Sequence, residues 1–386
     1  MRISQPLAEL PKPSADALAH SARLKELIRA EIAAAGGRLG FERFMELALY
    51  APGLGYYSAG ARKFGAAGDF VTAPELSPLF ARCLAVQCAQ VLDALGGGDI
   101  LELGAGSGRM AAELLNELAR LGALPQNYLI LEVSAELRER QQHTLAELAP
   151  ELREKVAWLE RLPESFSGVI LGNEVLDALP ISRFRRAPAG FEEFCVADHD
   201  GEFSWRLRPA QEELQAALQA LKDSLPQRLA EGYCSEISVR MPALIHSLSD
   251  TLARGALLLT DYGYPRAAYY HPERHMGTLM CHYRQHAHDD PFLYPGLQDI
   301  TAHVDFTAVA EAGSSAGLQL AGYTTQAHFL LALGIADRAT DLQTAREVKL
   351  LTLPGEMGER FKAIGFQKGI ELPLRGFGLR DLSYSL

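Results

Sequence analysis

Glu174 and Asp177 stand three residues apart, directly after the apolar run 167–172 and Asn173. If a helix begins at once, that spacing brings both carboxylates to one side. A carboxylate pair suits a guanidinium, which is planar, permanently charged and geometrically matched to bidentate acids. One acid can hold two of its nitrogens and draw positive charge toward them, leaving the third better able to attack an electrophile. The plainer alternative has Asp177 capping a helix and Glu174 holding a backbone turn.

A second constellation lies upstream. In 99–109, Asp-Ile-Leu-Glu-Leu-Gly-Ala-Gly-Ser-Gly-Arg, apolar strand positions run into Gly104, Gly106 and Gly108 and then into a helix-forming segment. Such a turn opens φ values closed to other residues and leaves the N–H groups of the next helix free for a ligand. The spacing is Gly-x-Gly-x-Gly rather than the Gly-x-Gly-x-x-Gly that seats a pyrophosphate, and Glu102 stands two residues before the first glycine. That acid repels a phosphate and suits an ammonium group, so a nucleotide-like cofactor without phosphate is the expected occupant and an NAD-dependent oxidoreductase the weaker rival. Glu132 ends the following apolar segment, 128–133, where an acid commonly holds a ribose diol.

These residues need a βαβ scaffold to position them. Helical spacing predicts helices over 110–121 and 134–148, and short apolar runs predict parallel strands at 128–133, 156–159, 167–172 and 255–261. Ahead of them, 14–35 and 41–50 read as helices, and 68–80, with two prolines, as an ordered loop feeding a helix through Asp93. Between strands four and five, aromatic-rich runs over 184–207 read as antiparallel hairpins, followed by helices at 209–221 and 242–252; 262–302, rich in Tyr, His and Pro, reads as a long interruption. The expected organisation is an N-terminal arm, helices and a loop over the cofactor site (1–93), a core of 94–180 and 255–386 carrying the 262–302 loop insertion, and an inserted substrate lobe (181–254).

With 386 residues the chain exceeds the usual single-domain size, and 48% hydrophobic against 22% charged residues is ordinary for a folded globular protein. A net charge of −11 disfavours bulk nucleic-acid binding, and no apolar run is expected to approach the eighteen or so residues of a bilayer span. Five scattered cysteines (83, 88, 195, 234, 281) without a Cys-x-x-Cys pair fit neither a disulfide framework nor a zinc ribbon. No signal-peptide core stands in the first thirty residues, and the acids Glu9, Asp16, Glu26 and Glu31 spoil a transit peptide, so a cytoplasmic protein is expected. His271, His275, His282, His286 and His288 are too irregularly spaced for a metal site, and none is expected. Arg183, Arg185 and Arg186 read as a solvated hairpin edge in preference to an RNA-phosphate patch.

The glycine turn resembles motif I of the class I methyltransferases. Together with 68–80, Asn-Glu-Val-Leu-Asp-Ala-Leu-Pro at 173–180, Asp261-Tyr262-Gly263, 299–306 and 326–330, it makes the chain resemble the MidA-like family from about Phe41 to its end. These are relatives of the mitochondrial complex I assembly factor that methylates a protein arginine. The resemblance implies an α/β, class I methyltransferase (Rossmann-like) doubly wound sheet with an inserted α+β lobe and an N-terminal helical cap. It implies S-adenosyl-L-methionine as cofactor and, by extension from the mitochondrial members, an arginine of a protein partner such as a respiratory-chain subunit as methyl acceptor.

Within that frame Glu102, Gly104, Gly106, Gly108, Glu132 and Asn173 are the expected cofactor residues. The backbone carbonyl of Asn173 and, through water, Glu102 would meet the cofactor's amino group, and adenine would lie around 159–162. Glu174 matches the family's Asn-Glu motif and Asp177 is the candidate second acid. The usual arginine methyltransferases use two glutamates nine residues apart, whereas here the ninth residue after Glu174 is Arg183. Two other classes stay open: a non-catalytic assembly factor or scaffold that keeps the fold, and methylation of RNA or a small molecule.

Overall fold

The computed structural model describes residues 10–58 and 72–386, so 68–71 of the proline-containing loop fall outside the described residues. Two compact units emerge. One contains Val71–Leu176, Pro242–Pro265 and Val304–Leu386 in their described parts; the other contains the described part of Met1–Phe70 with Asp177–Met241 and Arg266–His303.

The first unit is built on seven strands: β1 (Asp99–Leu103), β2 (Tyr128–Leu131), β3 (Val156–Leu159), β4 (Phe166–Asn173), β5 (Leu252–Tyr264), β6 (Gln319–Thr325) and β7 (Phe361–Lys368). Their order across the sheet is 3-2-1-4-5-7-6, with β7 antiparallel to both neighbours and a short strand, Val304–Asp305, adding to the end of β5. The chain leaves β1 in one direction toward β2 and β3, then returns to build β4 and β5 on the other side. Right-handed crossovers therefore place the helices on opposite faces, a doubly wound sheet whose switch point lies between β1 and β4. Residues Val169, Ile170 and Leu171 of β4 are buried on both sides of the pleat, as a central parallel strand requires.

Helix Pro78–Leu95 starts on Ser77, whose hydroxyl accepts from Leu79 N at 3.0 Å and donates to Glu347 at 2.7 Å, and stops at Gly96 with φ +74°. By length and composition it could cross a bilayer, yet its apolar side, including Phe80, Cys83, Leu84, Cys88 and Val91, is packed into the same core as the sheet. Its inclusion in the sheet's unit shifts the expected boundary at 93, because these residues bury their surface there and not under a separate cap.

The other unit carries helices Ala15–Ala34 and Phe41–Tyr50 and a five-stranded antiparallel sheet made from Leu39–Gly40, Ser182–Ala187, Gly190–His199, Glu202–Pro209 and Cys234–Ile237. Its core gathers Leu24, Ile28, Phe41, Phe44, Val196 and Ile300. Residues 266–303 are more ordered than a long interruption: Met280–Tyr283, His286–His288 and Asp299–Thr301 form a three-stranded sheet. Arg240 grips Glu46 with two bonds of 2.7 and 3.0 Å and Glu42 with a third of 2.5 Å; its bonds to Glu46, with one from Arg43 at 2.8 Å, hold the Glu46 carboxyl down at about 2.

Candidate active site

Parallel pairing of β1 with β4 sets Leu103 beside Gly172, so the chain leaves both strands at neighbouring points on the carboxyl edge of the sheet. That edge, at the switch point, is where open α/β sheets bind ligands. From β1 the chain enters the glycine turn with φ of +61°, +54° and +84° at Gly104, Gly106 and Gly108, and helix Arg109–Arg120 follows with a glycine, which has no side chain to cap it, at its N-cap. A Cβ on Gly108 would lie 3.0 Å from the Gln141 Cα, so helix Ala135–Leu148 can approach only because this residue has no side chain. Ser107 donates a short hydrogen bond to the Glu75 carboxylate and receives Arg109 N at 3.3 Å.

Glu102 is buried almost completely, and its carboxylate accepts from the Tyr128 hydroxyl at 2.6 Å. Desolvation, only partly offset by that bond, pushes its carboxyl up to about 7. Glu132 is also buried, with one oxygen accepting from Ser134 N at 2.8 Å and the other from the Gln141 amide at 3.1 Å. Burial raises its carboxyl above the ordinary value against the pull of those two donors. Each carboxylate oxygen has two lone pairs, which leaves acceptor capacity for hydroxyl groups of a ligand.

Gln141 was not among the expected site residues, yet it ties the site together. Its amide donates to Gly106 O and to Glu132, both at 3.1 Å, and its carbonyl accepts from Trp158 Nε1 of β3 at 2.8 Å. Glycine turn, acid and third strand are thus joined by one fully buried side chain. Tyr128 escaped notice for the same reason: in a strand pattern it counts as an apolar residue. The sequence signal available was a glutamine inside an otherwise amphipathic helix, and by itself it looks like a solvated residue. Val133, three-quarters exposed beside Glu132, presents apolar surface at the end of β2. A glycine turn stripped of side chains, acids with spare acceptors and this apolar edge fit a nucleoside carrying a cationic head.

At the end of β4 no helix begins, so the expected helical alignment of the two acids is absent. The reason is local: Leu176 N is taken by Asp261 Oδ2 at 2.9 Å instead of a helical carbonyl, and Pro180 closes the segment. Glu174 adopts φ +52°, unusual for a residue with a side chain, and its N–H bonds to Thr260 O at 2.8 Å. The Asn173 amide donates to Glu174 Oε1 at 3.1 Å. Asp177 belongs to the other unit, where it is buried; its carbonyl accepts from Ala302 N at 3.1 Å. In that unit Tyr57 donates to Asp299 at 3.0 Å and stacks on Tyr50, and burial together with the Asp299 and Asp177 carboxylates pushes the Tyr50 hydroxyl far up. With no helix after it, Asp177 is not a helix cap.

Residues 83–324 match the model of a family of S-adenosyl-L-methionine-dependent methyltransferases, Methyltransf_28. The chain belongs to this methyltransferase family. A protein from Burkholderia thailandensis crystallised with S-adenosyl-homocysteine is 49% identical, with a TM-score of 0.92 over 98% of this chain and 100% of that one. Curated relatives include the mitochondrial protein arginine methyltransferase NDUFAF7 of Danio rerio, 29% identical over 89% of each chain, and its Drosophila melanogaster homolog, 27% identical over 95% of this chain and 90% of that one. The methyltransferase uses S-adenosyl-L-methionine, and its sheet is that of the class I fold.

These relatives overturn the cytoplasmic placement: they are mitochondrial proteins. Five buried thiols fit any reducing compartment and do not tell one from another, and acids among the first thirty residues proved no guide.

The methyltransferase's three hairpin arginines are engaged within their own unit. Arg183 lies over Phe194 and Trp205 at 4.7 and 5.1 Å and 3.8 Å from Glu236; Arg185 pairs with Glu192 at 2.6 Å; Arg186 donates to Gly190 O at 2.6 Å. Burial lowers the His282 imidazole to about 4 and lowers that of His288 as well. Among the described residues no group of three or more His, Cys, Asp or Glu side chains is arranged to hold a metal.

Proposed function

We propose that this chain transfers a methyl group from S-adenosyl-L-methionine to an arginine of a protein partner, with a respiratory-chain subunit as the first candidate. The observation that carries the reading is Glu174: a carboxylate on a left-handed turn at the carboxyl end of β4, oriented by the Asn173 amide. The names of the curated relatives, protein arginine methyltransferases, point the same way. When bound, the cofactor supplies a sulfonium methyl as electrophile.

The chain's own residues bind and orient. The glycine turn at Gly104, Gly106 and Gly108 admits the cofactor against bare backbone, Glu132 holds the ribose hydroxyls, and Glu102 with the Asn173 carbonyl faces the ammonium group. Glu174 takes two guanidinium nitrogens and concentrates positive charge on them. The third nitrogen would then be left free to accept the sulfonium methyl, and the methylated guanidinium would give up a proton to water. Positioning and fixed charge supply most of such a rate enhancement. A hydroxyl, thiol or carbon acceptor carries no cation for that carboxylate to hold, and a lysine would first need a base.

Two measurements test this. Calorimetric titration of the purified protein with S-adenosyl-homocysteine should show binding, and mass spectrometry of cells with and without the gene should show a methylarginine that depends on it. No binding, or methylated peptides unchanged while a methylated RNA or metabolite disappears, refutes the proposal.

A further inference from the structure

We infer that Thr260 is a positioning residue for Glu174 and acts through Asn173, an inference that rests on Glu174 being the acid that holds the guanidinium. The parallel register of β4 and β5 makes Thr260 the direct neighbour of Asn173. Side chains paired in register stand on the same face of a sheet, so the hydroxyl and the amide must meet. They do: Thr260 Oγ1 donates to Asn173 Oδ1 at 2.7 Å, and Asn173 Nδ2 donates onward to Glu174 Oε1 at 3.1 Å.

The direction of this chain follows from its ends. An ionised carboxylate only accepts, so the amide must turn its NH2 toward Glu174 and its oxygen toward the threonine, which then has to donate. The flipped amide would set oxygen against carboxylate and leave the hydroxyl with no acceptor there. Thr260 is buried, so water offers little substitute for the lost contact. Its carbonyl meanwhile receives the Glu174 N–H at 2.8 Å, and the adjacent Asp261 takes Leu176 N and Tyr262 N at 2.9 and 2.8 Å. One residue thereby fixes the acid twice: its backbone holds the left-handed turn, and its hydroxyl sets which way the carboxylate is held. A left-handed backbone at a residue with a side chain is tolerated only when neighbours over-determine it, and such positions cluster at functional sites.

The role is distinct from packing. Valine has the shape of threonine without the hydroxyl, so Thr260→Val removes the orienting bond and leaves the β-branched fit and the backbone bond in place. The amide is then held from the Glu174 side alone, and the carboxylate faces a less firmly fixed donor.

The test measures initial rates of tritium transfer from labelled S-adenosyl-L-methionine into protein of an extract from cells lacking the gene, for wild type, Thr260→Val, Thr260→Ser and Glu174→Gln. Expected are a roughly tenfold or larger loss for Thr260→Val with calorimetric affinity for S-adenosyl-homocysteine kept within about twofold, and recovery to within about threefold for Thr260→Ser. The acidic limb of the rate profile should also move to higher pH in Thr260→Val, because a carboxylate that loses a donor is easier to protonate. Packing alone would move neither the limb nor the serine rescue. Should Thr260→Val not fold, Thr260→Cys, of similar size with a weaker donor, carries the same expectation. If Glu174→Gln is impaired while Thr260→Val matches wild type, or if Thr260→Ser is as impaired as valine, the positioning role is refuted and the proposed function stands. If Glu174→Gln itself turns over normally, that function is refuted and the inference with it.

Discussion

Glu102→Gln separates what the site needs from what the fold prefers. Burial has moved this carboxyl from an ordinary 4.5 to about 7, against the pull of the Tyr128 hydroxyl that donates to it at 2.6 Å. Each factor of ten in proton affinity is worth about 1.4 kcal/mol, so ionised Glu102 costs the folded chain about 3 kcal/mol, undiminished by solvent because the group is buried. The folded value lies above the unfolded one. The group's contribution to stability is therefore complete below about pH 4.5 and is lost as pH rises through about 7. Glutamine keeps an acceptor for Tyr128 and never ionises. Glu102→Gln should stabilise the ligand-free protein at pH 8 by up to about 3 kcal/mol and change it little near pH 4.5, read from urea melts at the two pH values. Cofactor affinity should move the opposite way: if the carboxylate form meets the ammonium group, wild-type binding should strengthen about tenfold between pH 6 and pH 8, and the variant should bind more weakly without that slope. A variant less stable at pH 8, or one whose binding keeps the wild-type slope, would refute this assignment of Glu102.

Three further substitutions probe the cofactor side. Gly106→Val should abolish calorimetric binding of S-adenosyl-homocysteine, because a β-branched side chain resists φ +54° and blocks the approach to the turn. Glu132→Ala should weaken binding by about 1–3 kcal/mol if its carboxylate holds the ribose through charge-assisted bonds; unchanged affinity would return it to a merely structural acid. Gln141→Leu strips donors from Gly106 O and Glu132 and orphans the Trp158 N–H, so it should cost about 1–3 kcal/mol of stability and shift tryptophan emission, whereas unaltered emission and melting would show that the glutamine does not hold these parts together.

Much of the core could be read in advance because local chemistry and tertiary demand agree there. Helix Phe41–Tyr50 and strand Val156–Leu159 fall where their spacing predicts, and helices Ala15–Ala34 and Ala135–Leu148 begin on capping Ser14 and Ser134. The glycine turn identifies itself because few other arrangements need alternate glycines after a strand. What escaped depends on long-range contact. The strands Met280–Tyr283 and His286–His288 are short and are recognisable only once they pair with each other and Asp299–Thr301 pairs with the first of them. Gln141 acquires its meaning from Gly106, Glu132 and Trp158, none of them local to it in sequence. The turn after Asn173 is set by Asp261, 85 residues downstream of Leu176, so a helix that looked available there is displaced.

Protein-arginine methylation is tested most directly by where the methyl group goes. Wild type and Glu174→Gln, each shown by calorimetry to bind S-adenosyl-homocysteine, would be given tritiated S-adenosyl-L-methionine and an extract from cells lacking the gene. The protein fraction would then be hydrolysed for amino-acid analysis. Label in methylated arginine with wild type, reduced by two or more powers of ten with Glu174→Gln, is the expected result, equivalent to about 3 kcal/mol of transition-state stabilisation. Label in lysine, RNA or small molecules, or equal methylarginine from both proteins, would contradict it.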